Sequence, residues 1–251
     1  MVRLGLIGYP LGHSYSADYF KNKFADNNMN GNYTLYPIRH ISEFAGLINS
    51  HPDLRGLNVT IPYKEGIISY LDEISAEARR IGAVNVISIS KEDGDNLRLR
   101  GDNTDWIGFR ESLLPLLKED IRSALVLGTG GASKAVTFAL ESLGIEVTKV
   151  SRNPKLNEVD TIAYKSLDKE IINQNRLIVN TTPLGMYPSI DTYPEIPYEY
   201  LTPEHLCYDL VYNPEITRFM HLSRLKGAKV KNGLEMLHLQ ADKAWEIWMG
   251  K

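Results

Sequence analysis

Ala124-Leu125-Val126-Leu127-Gly128-Thr129-Gly130-Gly131-Ala132-Ser133 is the stretch that decides the fold of this 251-residue chain. Its short, continuously apolar start predicts a buried strand, and Ser133–Leu143, closed by Gly144 as a C-cap residue, predicts the helix that follows. Glycines between a strand and a helix let the backbone approach a pyrophosphate, while the helix N-terminus offers free N–H groups and a partial positive charge. The stretch therefore predicts a dinucleotide-binding turn; a tight strand-to-helix turn without a ligand is the alternative.

Strand-like and helical segments alternate on both sides of this turn. The predicted strands are Leu4–Ile7, Asn32–Tyr36, Gly56–Thr60, Val84–Ser90, Leu97–Arg100, Ala124–Leu127, Glu146–Val150, Leu177–Asn180 and Cys207–Val211. The predicted helices are Asp18–Asn28, Ser42–Asn49, Ser75–Ile81, Ser133–Leu143 and Leu234–Met249. This alternation predicts βαβ units and a parallel sheet covered by helices.

Three further segments complete the predicted organisation. Glu92–Asp95 predicts a hairpin turn, and Tyr187–Pro203, which holds four prolines, predicts a surface loop because proline cannot donate to a strand ladder. The last helix carries one apolar side, formed by Leu234, Leu237, Ala241, Ala244 or Trp245, and Trp248. We expect two α/β domains with a boundary near Gly101–Asp105, and a final helix that crosses back to the first domain.

Composition excludes several classes of protein. The net charge of −3 gives no general attraction to nucleic acid or to an anionic membrane. Cys207 is the only cysteine, so neither an intrachain disulfide nor a thiolate metal site can form. The six histidines show no ligand spacing, and we expect no metal. No run of about 20 apolar residues occurs, and the N-terminus reads as a strand and not as a signal peptide, so a soluble cytoplasmic protein is expected.

The residues that follow the second predicted strand of the nucleotide half indicate which dinucleotide binds. NAD-binding folds place an acidic residue there, about 20 residues after the glycines, to bind the ribose 2′-hydroxyl. This chain has Ser151-Arg152-Asn153 instead. A carboxylate would repel a 2′-phosphate, whereas the planar guanidinium of Arg152 can hold one. NADP is therefore favoured, with Arg152 as a solvated loop charge the alternative.

Polar clusters also follow predicted strands in the first half, where ligands of open α/β sheets bind. Each one alone could be a helix cap or a turn former. Together with later segments they form seven motifs in a fixed order: His13–Ser16, Asn58–Lys64, Gly82–Asn85, Gly101–Asp105, Gly128–Ala132, Asn180–Met186 and Gly233–Ala241. In this order the chain resembles the shikimate dehydrogenase family over essentially its whole length.

The resemblance implies an NADP-dependent oxidoreductase that acts on a CH–OH group, with Lys64 and Asp105 as the catalytic pair. Oxidising an alcohol by hydride loss requires the hydroxyl proton to leave, and a positioned side chain contributes about 10²–10⁴-fold to that step. Desolvation lowers the pKa of a lysine, whereas a neighbouring carboxylate raises it. The sequence leaves open whether Lys64 is the base, or an ammonium that stabilises the alkoxide while Asp105 manages the proton.

The resemblance also implies the binding residues. Ser14, Ser16 and Tyr212 match residues near the substrate carboxylate, and Thr60, Asn85 and Gln240 match residues that bind ring hydroxyls. The implied cofactor residues are Gly128, Thr129, Gly130, Gly131, Ala132, Ser151, Arg152, Asn153, Thr182, Leu210 and Gly233. Three positions depart from the family pattern: Ala17 for proline, Trp106 for glycine, and Leu156 for a second arginine that would support NADP binding.

The fold implied is α/β with two domains, an N-terminal α/β substrate domain and a Rossmann-like NADP-binding domain, with a cleft between them. The predicted substrate-binding and catalytic domain spans residues 1–103 joined by the C-terminal helix 233–251, and the predicted cofactor domain spans 104–232. The expected reaction interconverts 3-dehydroshikimate and shikimate in the chorismate and aromatic amino-acid pathway, by a monomer or homodimer. A quinate/shikimate dehydrogenase that uses NAD, and a non-catalytic metabolite-binding regulator, are the alternatives.

Overall fold

A computed structural model describes residues 1–12, 15–91, 96–155 and 160–250. The chain divides into two compact units, Met1–Thr104 with Ala241–Lys251, and Asp105–Gln240. Each unit has its own six-stranded sheet and its own apolar cores. Within the described ranges no helix is both long enough and apolar enough to cross a membrane.

The first unit is a mixed sheet with helices. Its elements are β1 (Val2–Gly8), α1 (Tyr15–Asp26), β2 (Gly31–Pro37), α2 (Phe44–Ser50), β3 (Leu54–Val59), β4 (Glu73–Ile74), α3 (Ala76–Ile81), β5 (Val86–Lys91) and β6 (Leu97–Asp102), with 3-10 turns at Ile41–Glu43 and Gly66–Tyr70. The strand order is β2-β1-β3-β5-β6-β4. Strand β1 runs parallel to β2 and β3, whereas β5 runs antiparallel to β3 and β6.

The prediction of a parallel sheet is therefore wrong for part of this unit. A parallel pair needs a crossover of about a dozen residues or more, whereas an antiparallel pair needs only a short turn. Strands β5 and β6 follow one another closely along the chain, so they pair antiparallel as the predicted hairpin requires. The predicted turn itself, Glu92–Asp95, lies outside the described residues.

The second unit is built on a fully parallel sheet. Its elements are α4 (Asp105–Leu113), β7 (Ser123–Leu127), α5 (Gly131–Ser142), β8 (Glu146–Ser151), β9 (Thr161–Ala163), α6 (Lys169–Gln174), β10 (Leu177–Asn180), β11 (Leu206–Asp209), α7 (Arg218–Leu225), β12 (Lys229–Lys231) and α8 (Leu234–Met249), with 3-10 turns at Leu114–Leu116, Tyr164–Ser166 and Tyr198–Tyr200. Every described pair in the order β12-β11-β10-β7-β8-β9 is parallel.

This strand order is that of a Rossmann fold. Counted from β7 as the first strand, the sheet reads sixth, fifth, fourth, first, second, third, which is the doubly wound arrangement. The strand order reverses between β7 and β10, and ligands of such sheets bind beyond the carboxyl ends of the strands at that point. The predicted strand Ala124–Leu127 and the glycines after it lie there.

Helix α8 has the predicted bounds and belongs to both units, which divide it between Gln240 and Ala241. The predicted domains divided the chain instead after residue 103 and before residue 233. In the second half of the helix the predicted apolar side is buried at Ala241, Ala244, Trp245 and Trp248. In its first half the buried apolar side chain is Met236, whereas Leu234 and Leu237 are only half-buried.

Candidate active site

Asn85 fixes the backbone that leads to Asp105. Its carbonyl accepts the Val59 N–H at 2.9 Å at the end of β3. Its side-chain Oδ1 accepts the Thr104 N–H at 2.7 Å, and its Nδ2 donates to the Thr104 hydroxyl at 3.0 Å. The Asn85 side chain is 3% exposed, so these bonds are shielded from water. The segment after β6, from which Asp105 follows, is thereby tied to the end of β3.

Lys64 is held in the same region through its backbone. The Lys64 carbonyl accepts the Val84 N–H at 2.7 Å, one residue before Asn85. Thr60, at the start of the same motif, donates its N–H to the Ile7 carbonyl at 2.9 Å. Its methyl group packs on Gly8, where an added Cβ would lie only 2.4 Å away. The ends of β1 and β3 therefore meet at the motif that carries Thr60 and Lys64.

Of the two serines of the first motif, the structure describes only Ser16. Ser14 lies outside the described residues. Ser16 lies in the first turn of α1, is half-buried, and forms a hydrogen bond with the hydroxyl of Tyr33 on β2. The structure thus places one of the three hydroxyls predicted near the substrate carboxylate against a strand of the first sheet.

Asp105 and Gln240 are brought onto facing helices of the second unit. Asp105 is the first residue of α4 and is 6% exposed. Gly108, three residues later on the same helix face, lies against the α8 backbone, where an added Cβ would be 2.6 Å from the Met236 carbonyl oxygen and 2.9 Å from the Gln240 Cβ. The absence of a side chain at Gly108 therefore lets α4 contact α8 at Gln240.

The glycine turn joins the ends of β7 and β10. Gly128 has a φ of +112°, a conformation that favours glycine, and an added Cβ would lie 2.8 Å from the Thr181 hydroxyl and 3.1 Å from the Thr182 methyl group. The Ser133 hydroxyl donates to the Gly128 carbonyl at 2.7 Å, and α5 begins directly after Gly130 as its N-cap. The turn leaves a backbone cradle at a helix N-terminus, which suits a pyrophosphate.

The residues predicted to select the dinucleotide follow β8. Ser151 ends that strand, and its hydroxyl accepts the Asn153 N–H at 3.2 Å, which forms a tight turn. Arg152 and Asn153 are exposed at the turn. The guanidinium of Arg152 is therefore accessible to a phosphate at the position where NAD-binding folds carry an acid. Leu156, the departure from the family pattern, lies outside the described residues.

Asp209, which sequence reasoning did not single out, connects the loops after β10 and β11. This carboxylate has no exposed surface and accepts the Thr217 hydroxyl at 2.5 Å, the Asn180 amide at 2.9 Å and the Val211 N–H at 3.0 Å. Asn180 in turn accepts the Thr182 N–H at 3.1 Å and its hydroxyl at 2.6 Å. One buried carboxylate thus holds the loop that carries Thr182 and the segment that continues to Leu210 and Tyr212.

Gly233 and Leu210, both predicted to bind the cofactor, are in direct backbone contact. An added Cβ on Gly233 would lie 2.1 Å from the Leu210 carbonyl oxygen. The Gly233 N–H donates to the Val211 carbonyl at 3.2 Å. Tyr212 follows immediately and is half-buried. The start of α8 and the loop after β11 therefore form one continuous backbone surface.

Comparison with known proteins gives the family. The family model described as the shikimate dehydrogenase substrate binding domain matches residues 6–87. A shikimate dehydrogenase (NADP(+)) of Caldanaerobacter subterraneus subsp. tengcongensis is 38% identical over 263 residues, which cover 98% of this chain and 91% of that protein. The chain belongs to the shikimate dehydrogenase family. Its Rossmann-like sheet and N-terminal α/β unit are those of the family's fold.

Two solved structures of shikimate dehydrogenases with ligands are similar to this chain. The shikimate 5-dehydrogenase of Thermus thermophilus, in complex with NADP(H) and shikimate, is 34% identical with a TM-score of 0.85, and the match covers 100% of this chain and 94% of that one. That of Listeria monocytogenes, in complex with shikimate and NAD, is 26% identical with a TM-score of 0.85, covering 100% and 92%. Both nicotinamide dinucleotides therefore occur in complexes with proteins of this fold.

Five polar residues that hold predicted site residues in place were assigned no binding or catalytic role from the sequence. They are the half-buried Tyr33 and the buried Asn58, Asn180, Asp209 and Thr217. A polar residue at the end of a continuously apolar strand was the available signal for Asn180 and Asp209, since both close strands that are otherwise fully buried. In the part of the chain that the structure describes, no group of three His, Cys, Asp or Glu residues could hold a metal ion. The expectation of no metal stays a prediction.

Asp209 also predicts how stability depends on pH. Burial raises the pKa of its carboxyl from 3.8 to about 6, although three hydrogen bonds act in the opposite direction. Because the folded protein then binds this proton more tightly than the unfolded chain, the stabilisation is complete below about pH 4 and is lost as the pH rises through about 6. We expect the free energy of unfolding to fall by on the order of 3 kcal/mol over this interval from this group.

The variant Asp209→Asn tests this pH dependence. The amide cannot titrate, so the contribution of residue 209 becomes independent of pH, and the variant loses stability relative to wild type at pH 4.5 more than at pH 7. Urea unfolding at both pH values measures the two differences. An equal difference at the two pH values would show that Asp209 does not titrate in this interval.

Proposed function

We propose that this chain catalyses the reversible, NADP-dependent interconversion of shikimate and 3-dehydroshikimate. The observation that carries the proposal is the bonding around the Val84–Asn85 turn. This turn holds the Lys64 carbonyl through Val84 and the backbone of Thr104, the residue before Asp105, through Asn85. Lys64 follows β3 and Asp105 follows β6. The buried Asn85 is hydrogen-bonded to the chain at the ends of both strands.

The residues around the glycine turn fit NADP. We assign the pyrophosphate to Gly128, Thr129, Gly130, Gly131 and Ala132, since the positive φ of Gly128 turns the chain directly into the N-terminus of α5. Ser151, Arg152 and Asn153 are assigned to the 2′-phosphate end, and Thr182, Leu210 and Gly233 to the nicotinamide end. When bound, NADP⁺ supplies the acceptor for the hydride that leaves the alcohol carbon.

The substrate is a small carbocyclic acid, and the remaining residues suit its groups. Ser14, Ser16 and Tyr212 are assigned to the carboxylate, because hydroxyl groups donate to it without adding charge. Thr60, Asn85 and Gln240 are assigned to the ring hydroxyls, since an amide offers both a donor and an acceptor. Lys64 and Asp105 together handle the proton of the reacting hydroxyl, which must leave as the hydride does.

A quinate/shikimate dehydrogenase that uses NAD is the second candidate. Leu156, which replaces the second arginine of the family pattern, favours it, as does the complex of the Listeria monocytogenes relative with NAD. Steady-state rates of the wild-type enzyme with shikimate and quinate, each with NADP and NAD, decide between the two. A preference of tenfold or more in kcat/KM for quinate with NAD, about 1.4 kcal/mol, would overturn the assignment to shikimate and NADP.

Arg152 is expected to select NADP. In Arg152→Ala the exposed guanidinium that meets the 2′-phosphate is lost, so the KM for NADP should rise by about tenfold or more while the KM for NAD stays nearly constant. Steady-state kinetics with both cofactors measures this split. Lys149→Ala, which changes a basic residue within strand β8, is the control. Equal losses for NADP and NAD would assign Arg152 a structural role.

The cellular setting follows from the proposed reaction. We place the enzyme in the cytoplasm, in the pathway to chorismate and the aromatic amino acids. It acts on a free metabolite, without a nucleic-acid or membrane partner, as a monomer or homodimer. Sedimentation of the purified protein at several concentrations distinguishes the two assembly states.

A further inference from the structure

Tyr33 lies between Ser16, which is assigned to the substrate carboxylate, and the buried Asn58. Neither the sequence motifs nor the proposed function gives Tyr33 a role. It belongs to β2, and its hydroxyl donates to the Asn58 Oδ1 at 2.8 Å. The same hydroxyl is hydrogen-bonded to Ser16. A phenol has a single proton, so with that proton on Asn58 the Ser16 hydroxyl is the donor to the Tyr33 oxygen.

The orientation of Asn58 is set from its other side. Its Nδ2 donates to the Asn85 carbonyl at 3.2 Å, the carbonyl that also accepts the Val59 N–H. Asn58 is 7% exposed, and the Asn85 side chain continues to Thr104. An unbroken series of hydrogen bonds therefore runs from Ser16, through Tyr33 and Asn58, to Asn85 and the residue before Asp105.

The ring of Tyr33 is fixed in place. It stacks on Phe20 with centroids 4.6 Å apart and an interplanar angle of 17°. Phe20 lies on α1 four residues after Ser16 and so on the same helix face. Burial raises the pKa of the Tyr33 hydroxyl, which therefore keeps its proton at every working pH. The contact of β2 with α1 thus holds a neutral hydroxyl beside Ser16.

We propose that Tyr33 is a positioning residue that holds the Ser16 oxygen in place for the substrate carboxylate. When the carboxylate takes the hydrogen bond from Ser16, the Tyr33 proton turns from Asn58 to the Ser16 oxygen. The proposal rests on the proposed function, because it takes Ser16 as a carboxylate donor. Without the Tyr33 hydroxyl, Ser16 loses its hydrogen-bond partner on β2, and Asn58 loses the donor to its Oδ1. Recognition of the carboxylate should then weaken more than the chemistry or the binding of the cofactor.

Tyr33→Phe tests the proposal, since it removes only the hydroxyl. We expect the KM for shikimate to rise by about tenfold, as for loss of a hydrogen-bond network around a charged ligand, while the KM for NADP stays within twofold. The matched control is Tyr208→Phe, at a buried tyrosine whose hydroxyl is hydrogen-bonded to Ser112 at 2.8 Å in the core of the second unit. Thermal unfolding of both variants reports the structural cost of a lost hydroxyl.

A second substrate separates positioning from general weakening. The methyl ester of shikimate lacks the charged carboxylate, so the ratio of kcat/KM for acid over ester should fall in Tyr33→Phe and stay constant in Tyr208→Phe. Ser16→Ala and the double variant Ser16→Ala/Tyr33→Phe complete a cycle, in which the two effects should not add because Tyr33 acts through Ser16. The cycle compares acid-to-ester ratios, so it still tests the role of Tyr33 if Tyr33→Phe lowers the stability of the protein.

The outcomes are distinguishable. Wild-type enzyme that does not oxidise shikimate would overturn the proposed function and this inference with it. Active wild-type enzyme, together with an unchanged acid-to-ester ratio in Tyr33→Phe or fully additive effects in the cycle, would overturn only the role of Tyr33.

Discussion

Replacing Lys64 by alanine is expected to lower kcat for shikimate oxidation by about 10²- to 10⁴-fold, the usual worth of a positioned proton-handling group. The KM for NADP should remain near the wild-type value, because none of the residues assigned to the cofactor belongs to the Lys64 motif. The local backbone should also be retained. The hydrogen bond from the Val84 N–H goes to the Lys64 carbonyl, which alanine keeps.

Steady-state kinetics with saturating NADP measures the effect of this variant. Lys91→Ala is the matched control, since Lys91 is an exposed lysine at the last position of β5, at the opposite end of that strand from Asn85. Lys64→Arg keeps a positive charge but cannot release its proton. A rate near wild type in Lys64→Arg would favour the ammonium role. A rate near wild type in Lys64→Ala would contradict the assignment altogether.

The parts of the fold that could be predicted from the sequence are those with strong local signals. Strand β7 is a continuous apolar run followed by glycines, β10 has the predicted bounds, and α8 repeats an apolar side over sixteen residues. Helices α4, α6 and α7 were not predicted. Two of them are only six and eight residues long, too short for a periodic pattern to be distinguished from a loop.

An N-cap residue in the sequence could have predicted one of these helices, α7. Thr217 precedes α7, and its side chain accepts the Met220 N–H, an N-cap arrangement that threonine favours. The mixed order of the first sheet was out of reach, because pairing between β3 and β5 depends on contacts between segments far apart in the chain. Alternation of segments predicts which elements form but not the direction in which they pair.

The candidate site, too, could be predicted from the sequence only in part. Motifs supply the residues assigned to bind or react, because their order is specific. The side chains that hold them in place are bonded across long separations, such as Tyr33 to Asn58 and Asn180 to Asp209, which are 25 and 29 residues apart. The periodic patterns of helices and strands carry no information about such bonds. Hydrogen bonding of buried polar groups is a property of the folded chain, and only the structure identifies these partners.

Gly233→Ala is expected to have a large effect on both stability and cofactor binding. The added Cβ would lie 2.1 Å from the Leu210 carbonyl oxygen and 2.6 Å from its carbon, which are backbone atoms that cannot rotate away. The start of α8 must therefore separate from the loop after β11, and the bond from the Gly233 N–H to the Val211 carbonyl breaks. Overpacking of this kind costs about 1–3 kcal/mol and occasionally more.

Urea unfolding and steady-state kinetics together measure the consequence. The KM for NADP should rise by at least about tenfold, since the separation moves two backbone segments assigned to the nicotinamide end. Gly46→Ala is the matched control, because Gly46 lies exposed within α2 and an added Cβ meets no atom within 4 Å. Alanine there should stabilise the protein by about 0.4–1 kcal/mol. If Gly233→Ala matched Gly46→Ala in both stability and KM, the loop after β11 could not be the rigid backbone surface that the contact with Leu210 implies.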